Sequence, residues 1–325
     1  MLKTEEDMAD IFFKEDMKRI FHKKKILFLG DSIMRNIYQD FIYMIEKGDL
    51  TPHYLLKKKG EQIPSFVGDS LLYGTGILTT GRSYEEIRQY EKLRDGTVVI
   101  SATFCFLTRC YSRDLDDFIH DYGRKHGPPD LILVLSALWD INRWGPEGIT
   151  DYSTNCRRLL SLVNREFPSS TQLIWLTSPP ISVEIRGGVL VKGMEFTERS
   201  MRFNVLEGNL MVSHMSAAYG YDVVDLHYWM THLICKRMTD GIHWSPEAVR
   251  LQVNIIVTHF CLSRNIPLPK RCGVGKSLET VMKIAEAADV DNGEIVWDTR
   301  REDERNIQPP SKRLKRGSYG YDRSA

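Results

Sequence analysis

The sequence predicts a three-layer α/β/α fold with a central, mostly parallel sheet, and two observations lead to that class. Several short stretches are almost continuously apolar, which is typical of strands that are buried on both faces. These stretches alternate with longer segments of helical periodicity, and alternating strands and helices build a parallel sheet covered by helices. A chain of 325 residues with 42% hydrophobic residues is large enough to enclose such a core.

Five strands and five helices are predicted in alternating order, because each apolar run is short and is followed by turn residues. The predicted strands cover residues 26–30, 97–107, 131–138, 172–177 and 221–226. The predicted helices cover residues 33–46, 114–124, 151–166, 195–217 and 246–261. Active sites of such sheets form beyond the carboxyl ends of the strands, so the side chains that directly follow these strands should share one rim.

The sheet domain is predicted to span residues 24–270, after a helical extension at residues 1–23. Residues 271–299 are predicted to be a peripheral extension with one short helix at 277–287. Charged and polar residues dominate residues 300–325, so this segment is predicted to be a disordered tail.

Charge and cysteine usage set expectations for partners and location. The net charge is about +1, so the overall field gives no reason to expect binding to nucleic acid or to a membrane. The charged N-terminus is unlike a secretory signal, and the six cysteines show no disulfide framework, so we expect a cytoplasmic protein with reduced thiols. The basic cluster at 312–316 favours a solvated tail, with a nuclear import signal as the alternative.

The first chemical feature is a serine placed directly after an apolar run. The run ends at Gly30-Asp31-Ser32, and a predicted helix follows at once. A helix N-terminus favours negative charge, so Ser32 is well placed to form an alkoxide and to have an oxyanion stabilised beside it.

The second feature is the pair Asp240 and His243, which precedes the last predicted helix. A serine hydroxyl becomes a good nucleophile when a base takes its proton, and a third group usually orients that base. Ser245 is a favourable N-cap and Pro246 suits the first helical position, so the start of the helix would hold the pair in place. We therefore predict Ser32 as nucleophile, His243 as general base and Asp240 as the orienting carboxylate.

A Gly-Asp-Ser tripeptide alone is weak evidence, since most are turns, and the chain contains a second copy at Gly68-Asp69-Ser70. Ser32 is preferred because the segment before Ser70 is too short and broken for a central strand. The chain has no paired Cys or His spacing typical of zinc and no Gly-x-Gly-x-x-Gly after a strand. We therefore expect no metal and no cofactor.

Four segments together resemble a known family. Gly30–Asn36 and Asp240–Trp244 are similar to the first and last blocks of the SGNH/GDSL hydrolases. Phe104–Ser112 and Asp130–Gly145 narrow the resemblance to the PC-esterase branch, over about residues 24–270. The resemblance implies a flavodoxin-like hydrolase fold and a Ser–His–Asp triad, Ser32, His243 and Asp240, that acts on acyl esters.

The resemblance also implies an oxyanion hole from which this chain departs. The family uses the nucleophile's N–H, a glycine N–H from a second block and an asparagine from a third. Here Trp139 occupies the asparagine's position, and its indole offers one donor with a different reach. Gly60, Gly74 and Gly76 are candidates for the second-block glycine.

Arg35 is the side chain most suited to replace the missing donor, since it lies three residues after Ser32 on the same helical face. The alternative is that Arg35 pairs with a carboxylate such as Asp31. Asn142 is a weaker substitute, for which a loop or cap role is the alternative. The candidate oxyanion and substrate-binding residues are Gly30, Asp31, Arg35, Asn36, Trp139, Asp140 and Asn142.

Two functions from different classes remain open. The first is a serine esterase that hydrolyses, or transfers the acyl group of, a small-molecule or glycan ester. The second is a pseudo-enzyme that keeps the fold and acts as a binding module, which the Trp139 departure favours. The sequence predicts no particular protein partner.

Overall fold

A computed structural model describes residues 12–56, 64–74, 83–144, 147–185 and 198–269. The predicted helix at 277–287 and the predicted disordered tail lie outside these residues. So do the glycine candidates Gly60 and Gly76.

The strands of the described residues form one seven-stranded sheet. Its strands are β1 (Lys24–Gly30), β2 (Ser70–Gly74), β3 (Glu86–Arg94), β4 (Thr97–Phe106), β5 (Leu131–Leu135), β6 (Gln172–Leu176) and β7 (Asp222–Val224). The spatial order is β2-β3-β4-β1-β5-β6-β7. The five strands from β4 to β7 in that order are parallel, whereas β2 and β3 add an antiparallel edge.

The parallel part of the sheet has flavodoxin-like topology. Counted along the chain, the parallel strands lie in the order 2-1-3-4-5, which is the order of that fold. The order reverses between β1 and β5, and ligands of open α/β sheets bind at such a reversal, beyond the carboxyl ends of the strands. The predicted fold class is confirmed, and Ser32 follows the strand at the reversal.

Helices cover both faces of the sheet. In the described residues they are α1 (Lys14–Ile20), α2 (Ser32–Glu46), α3 (His53–Leu56), α4 (Arg113–His126), α5 (Leu138–Arg143), α6 (Gly148–Glu166), α7 (Met201–Ala218), α8 (Leu226–Thr231) and α9 (Pro246–Ser263). Helices α1, α2 and α9 pack on one face of the sheet, and α4 and α6 pack on the other. No described helix is both long enough and apolar enough to span a bilayer.

The interior between α2 and α9 contains an ion pair as well as apolar side chains. The Arg250 guanidinium donates from Nε to Asp40 Oδ2 over 2.7 Å, and both side chains are fully buried. It also donates to Asp40 Oδ1 over 3.1 Å and to the Asp49 carbonyl over 2.7 Å. These bonds fix the helix that begins at Ser32 against the helix that follows His243.

The structure differs from the local expectations at several points. The helix predicted at 195–217 begins at Met201, and the strand predicted at 221–226 ends at Val224. The strand predicted at 131–138 ends at Leu135, and Leu138 already starts α5, because a buried apolar run does not itself distinguish strand from helix. The antiparallel hairpin of β2 and β3 was not predicted. The strand β3 is Glu-Ile-Arg-Gln-Tyr-Glu-Lys-Leu-Arg, and its charged residues mask the weak alternation of an edge strand.

Candidate active site

Ser32 is the first residue of α2, directly beyond β1. The turn from β1 into α2 leaves no room for a side chain at residue 30. A Cβ on Gly30 would lie 2.5 Å from the Leu135 carbonyl oxygen and 2.5 Å from Met34 Cβ. Asp31 is the N-cap of α2, and its carboxylate accepts the Ile33 N–H over 2.8 Å. Gly30 and Asp31 therefore have structural roles that bring Ser32 to the helix N-terminus.

Ser32, His243 and Asp240 form a hydrogen-bonded row. The Ser32 hydroxyl oxygen lies 2.7 Å from His243 Nε2, and His243 Nδ1 lies 2.7 Å from Asp240 Oδ2. Because a carboxylate only accepts, Nδ1 carries the proton donated to Asp240, and the bare Nε2 accepts from Ser32. The arrangement can remove the hydroxyl proton as the oxygen attacks an electrophile.

The loop before α9 is held by its own backbone and by a neighbouring segment. The Met238 N–H donates to the His243 carbonyl over 2.7 Å, and the Gly241 N–H donates to the Met238 carbonyl over 3.0 Å. The Ser182 N–H donates to the Gly241 carbonyl over 2.7 Å. The Asp240 carboxylate accepts two N–H groups of its own loop, over 2.9 and 3.0 Å. His243 is thus oriented by Asp240 and by the loop itself.

The supporting segment is in turn fixed by α7 and α8. The Asn209 side chain accepts the Ser178 N–H over 2.8 Å and donates to the Ser178 carbonyl over 2.9 Å. His227 Nδ1 lies 2.8 Å from the same carbonyl. The sequence did not reveal the roles of Asn209 and His227. They hold the segment at Ser178, and nothing in the local sequence pattern shows that this segment contacts the loop of Asp240 and His243.

The two aspartates of the site have opposite electrostatic behaviour. Burial acts to raise the pKa of Asp240, but the hydrogen bond and charge of His243 and two backbone N–H groups outweigh it and hold the pKa well below its usual value. Burial raises the pKa of Asp31 to about 6, although backbone N–H groups and His243 oppose the shift. Asp240 therefore remains ionised where His243 would act as a base.

Arg35 lies in a buried polar group formed with β3 and the residues before it. Its Nη1 donates to Glu86 Oε2 over 3.1 Å and to the Tyr84 hydroxyl over 3.1 Å, so its carboxylate partner is Glu86 and not Asp31. The guanidinium also lies 5.8 Å from the centroid of the Phe106 ring. Its Nε is buried and has no hydrogen-bond partner in the described part of the chain.

Trp139 lies next to Phe106 at the rim of the sheet. Its ring meets Phe106 edge to face, with centroids 5.5 Å apart. The Arg143 guanidinium lies 3.7 Å from the Trp139 centroid, on the ring face. The row Arg35, Phe106, Trp139 and Arg143 is therefore a cationic and aromatic wall beside the ends of β4 and β5.

Asp140 faces inward, not into the rim. Its carboxylate accepts the Cys110 N–H over 2.8 and 2.9 Å and the Ser136 hydroxyl over 2.6 Å. Burial raises its pKa to about 6, against these hydrogen bonds. The structure thus gives Asp140 a positioning role between the loops that follow β4 and β5. Asn142 is fully buried within α5.

Asn36 is one turn beyond Ser32 in α2, and it is also buried. Its Oδ1 has no hydrogen-bond partner among the residues that the structure describes.

A groove adjoins the wall. It has a volume of about 690 Å³ and runs between α4 and the strands β2 to β4. Tyr84, Glu86 and Phe106 line the groove, as do Thr108 and Trp144. The triad residues do not line it, so it is a neighbour of the Ser32 site and not the site itself. Within the described residues, no cluster of His, Cys, Asp or Glu has the arrangement of a metal site.

Curated relatives match the chain over most of its length. PC-esterase domain-containing protein 1A of Homo sapiens is 34% identical over 263 residues, which is 80% of this chain and 56% of that protein. The Mus musculus protein of the same name is 32% identical over 80% of this chain. This chain is a homologue of the PC-esterase domain-containing protein 1 group. PC-esterase domain-containing protein 1B of Homo sapiens is 29% identical over 80% of this chain.

This PC-esterase homologue covers only part of the length of each of these relatives. It spans somewhat more than half the length of the curated relatives it matches. No family model matches the chain.

Solved structures with distant likeness to this PC-esterase homologue include several hydrolases. A lipase/acylhydrolase from Enterococcus faecalis is 13% identical, covers 73% of this chain and 95% of its own, and has a TM-score of 0.40. A GDSL-like lipase from Bacteroides thetaiotaomicron is 11% identical, covers 75% and 89%, and has a TM-score of 0.42. These scores add nothing to the topology described above.

Of the three candidates for the second-block glycine of this PC-esterase homologue, the structure describes only Gly74, and it does not lie beside Ser32. Gly74 ends β2, which is separated from β1 by β3 and β4, or about 14 Å at the usual strand spacing. Two described segments follow the strands that flank β1, Leu107–Ser112 and Ser136–Trp144, and neither contains a glycine.

The second Gly-Asp-Ser of the PC-esterase homologue is a turn before the edge strand. Asp69 is buried and accepts from Arg88 over 3.1 Å and from the Tyr38 hydroxyl over 3.1 Å. Gly68 has a φ of +86°, and Ser70 is exposed at the start of β2. Asp69 and Arg88 extend the buried group around Glu86, since the Arg88 Nε donates to Glu86 Oε1 over 2.6 Å.

Proposed function

We propose that this chain is a serine acyl esterase whose nucleophile is Ser32. The observation that carries the proposal is the row in which His243 Nε2 lies 2.7 Å from Ser32 Oγ and His243 Nδ1 lies 2.7 Å from Asp240. The homology to PC-esterase domain-containing proteins supports a reaction of the esterase type. A smaller role, such as capping alone, would not require a base and an orienting carboxylate in line with the serine.

The proposed reaction proceeds through an acyl-enzyme. His243 Nε2 takes the hydroxyl proton while Ser32 Oγ bonds to the ester carbonyl carbon, and the carbonyl oxygen becomes an oxyanion. His243 then returns the proton to the departing alcohol oxygen, which leaves Ser32 acylated. Water, activated by His243 in the same way, releases the acid and restores the serine. If a second hydroxyl compound replaces water, the same steps transfer the acyl group.

The oxyanion would be stabilised by a set of donors that differs from the family's. The N–H of Ser32 points from the N-terminus of α2, where the helix dipole favours negative charge. Arg35 follows one turn later in the same helix, and its Nε has no hydrogen-bond partner among the described residues. Glu86 accepts a hydrogen bond from Nη1 of Arg35 and so fixes the orientation of the guanidinium, whose Nε would remain to donate to the oxyanion. The alcohol part, a small molecule or a glycan, would extend toward the groove beside Phe106.

Labelling with a fluorophosphonate serine probe tests this proposal. We expect the folded wild-type protein to be labelled and Ser32→Ala to be unlabelled. Ser70→Ala is the matched control and should label as wild type, because Ser70 lies at the exposed start of β2. A screen with generic acetyl esters on the same three proteins then reports turnover.

The result that would overturn the proposal is a folded wild-type protein that takes no label. That outcome would leave the pseudo-enzyme, a binding module with the same fold, as the function to pursue. The departure at Trp139 favours it, because losing one oxyanion donor costs about a hundredfold to a thousandfold in rate.

A further inference from the structure

One short stretch of chain connects the end of β6 to the loop of the candidate triad. It covers residues 177–182, Thr-Ser-Pro-Pro-Ile-Ser, and we name it the 177–182 segment. It begins directly after β6, at the carboxyl ends of the parallel strands. Its first five residues are buried, so partners within the protein set the positions of its polar groups.

The start of the 177–182 segment is held by an amide and an imidazole. Asn209 of α7 is itself buried, accepts the Ser178 N–H over 2.8 Å and donates to the Ser178 carbonyl over 2.9 Å. Nδ1 of His227 lies 2.8 Å from the same carbonyl, and because a carbonyl only accepts, this nitrogen carries a proton. Side chains of α7 and α8 therefore hold both polar groups of the Ser178 backbone.

The later part of the 177–182 segment contacts the loop of His243 at two places. The Ser182 N–H donates to the Gly241 carbonyl over 2.7 Å. At the beginning of the loop, the Arg237 guanidinium donates from Nη1 to the Pro180 carbonyl over 3.3 Å. A displacement of the segment would therefore act on the loop at both contacts.

The middle of the 177–182 segment is stiff. The rings of Pro179 and Pro180 fix their φ angles, and a residue that precedes a proline is restricted to extended conformations, which applies to Ser178 as well. The chain between Ser178 and Ser182 thus has few free dihedral angles with which to absorb a change at its start. A shift at Ser178 is therefore passed on to Ser182.

We propose that Asn209 and His227 are positioning residues for His243. They fix the start of the 177–182 segment, and the stiff segment holds the loop that presents His243 to Ser32. This role rests on the proposed function, in which His243 is the base for Ser32. A role that is only structural would affect the stability of the fold without changing how the imidazole is aligned with the serine.

Fluorophosphonate labelling of the full chain measures this alignment. We expect Asn209→Ala to lower the maximal labelling rate about tenfold, because a displaced base transfers the proton less efficiently. The probe concentration that gives half the maximal rate should stay as in wild type. Thr171→Val is the matched control and should label as wild type. It removes a buried hydrogen bond of 2.8 Å, from Thr171 to the Pro129 carbonyl, at the other end of β6.

Two variants of His227 keep the test decisive if circular dichroism shows that Asn209→Ala does not fold. His227→Leu removes the donor to the Ser178 carbonyl and should slow labelling. His227→Asn should restore most of the rate, because its amide nitrogen is bonded to Cγ, as Nδ1 is in histidine. Equal rates for these two variants would show that the hydrogen bond does not matter for the site, and would overturn the proposal.

The NMR signal of the His243 Nδ1 proton is a readout that needs no catalysis. The hydrogen bond of 2.7 Å to Asp240 shifts this signal to low field and protects the proton from exchange, and its loss in His243→Gln assigns it. We expect the signal in wild type and in Thr171→Val, and its loss through faster exchange with water in Asn209→Ala.

The two readouts separate failure of this proposal from failure of the esterase. If the wild type takes no label, the esterase fails, and the His243 signal still decides whether Asn209 positions the imidazole. The positioning role is overturned if Asn209→Ala keeps the wild-type signal, or if the wild type itself lacks it. It is also overturned if Thr171→Val slows labelling as much as Asn209→Ala, since the effect would then follow from general destabilisation.

Discussion

At the residue scale, Gly241 is the position where an added side chain would disturb the site most. It has a φ of +82°, in the left-handed region that favours glycine. A Cβ there would lie 2.6 Å from the Glu184 carbonyl oxygen and 2.7 Å from Ser182 Cβ. Because the Gly241 carbonyl also accepts the Ser182 N–H, any shift that relieves these contacts moves the residues on either side, Asp240 and Ile242.

We therefore expect Gly241→Ala to disturb His243 and to slow fluorophosphonate labelling of Ser32 by about a hundredfold, since a displacement of about 1 Å can cost that much. Gly220→Ala is the control. Gly220 has a similar φ of +75° but nothing within 4 Å of its would-be Cβ, so that variant has only the backbone strain of about 1 kcal/mol. Equal labelling rates for the two variants would show that the contacts of Gly241 do not position the site.

Asp31 provides a prediction about pH. Below about pH 3 both the folded and the unfolded chain hold the proton of Asp31, but at higher pH the unfolded chain ionises first, because burial raises the folded pKa to about 6. The stability that Asp31 contributes is therefore lost as the pH rises toward 6, and the free energy of unfolding levels off above that pH. Relative to Asp31→Asn, we expect the free energy of unfolding of the wild type to fall by about 3 kcal/mol between roughly pH 3 and pH 7.

Urea unfolding at a series of pH values measures this difference. The asparagine keeps an oxygen that accepts the Ile33 N–H, so the cap of α2 is retained in both proteins. Asp140 contributes to both proteins equally and cancels from the comparison. A difference that stays constant across this range would mean that Asp31 is not held neutral by the fold.

At the element scale, the site requires α2 and α9 to keep their relative position, and the Arg250–Asp40 pair is the polar link between them. We expect Arg250→Met to lower the free energy of unfolding by about 3–5 kcal/mol, because it leaves the Asp40 carboxylate buried without its cation. Arg124→Met is the control. Its pair with Asp121 is exposed, so the change should stay within about 1 kcal/mol of wild type.

Adding Asp40→Asn to Arg250→Met separates charge from packing. Removing the stranded carboxylate should restore part of the lost stability, and thermal unfolding measures it. If the double variant is less stable than Arg250→Met alone, the cost arises from packing and not from the unpaired charge.

The same scale explains which elements were predictable. The central strands are apolar because both faces are covered, and the long helices carry a clear periodicity, so both follow from local pattern. The hairpin of β2 and β3 does not, because its Glu86 and Arg88 are buried through their mutual pairing and the pairing with Asp69 and Arg35. A charge that is buried in a network looks the same in the sequence as a charge on the surface.

At the scale of the whole molecule, the candidate site is assembled from distant parts of the chain. Ser32 and His243 are 211 residues apart, and only the sheet and its two helices bring them within 2.7 Å. Motif type was enough to name the three members of the row. It also named Arg35 and Trp139, but not Phe106 between them, because which side chains meet along the rim depends on strand order and register.

This assembly predicts that the site and the fold are lost together. Far-UV circular dichroism reports the helices and the sheet, while the labelling rate reports the row at Ser32. We expect both to change at the same urea concentration, as in a two-state transition, because α2 and the loop of His243 are fixed to the same core. Labelling that disappears at a clearly lower urea concentration would show that the loop of Asp240 and His243 opens by itself, and that its backbone contacts to Ser182 are weaker than the core that supports them.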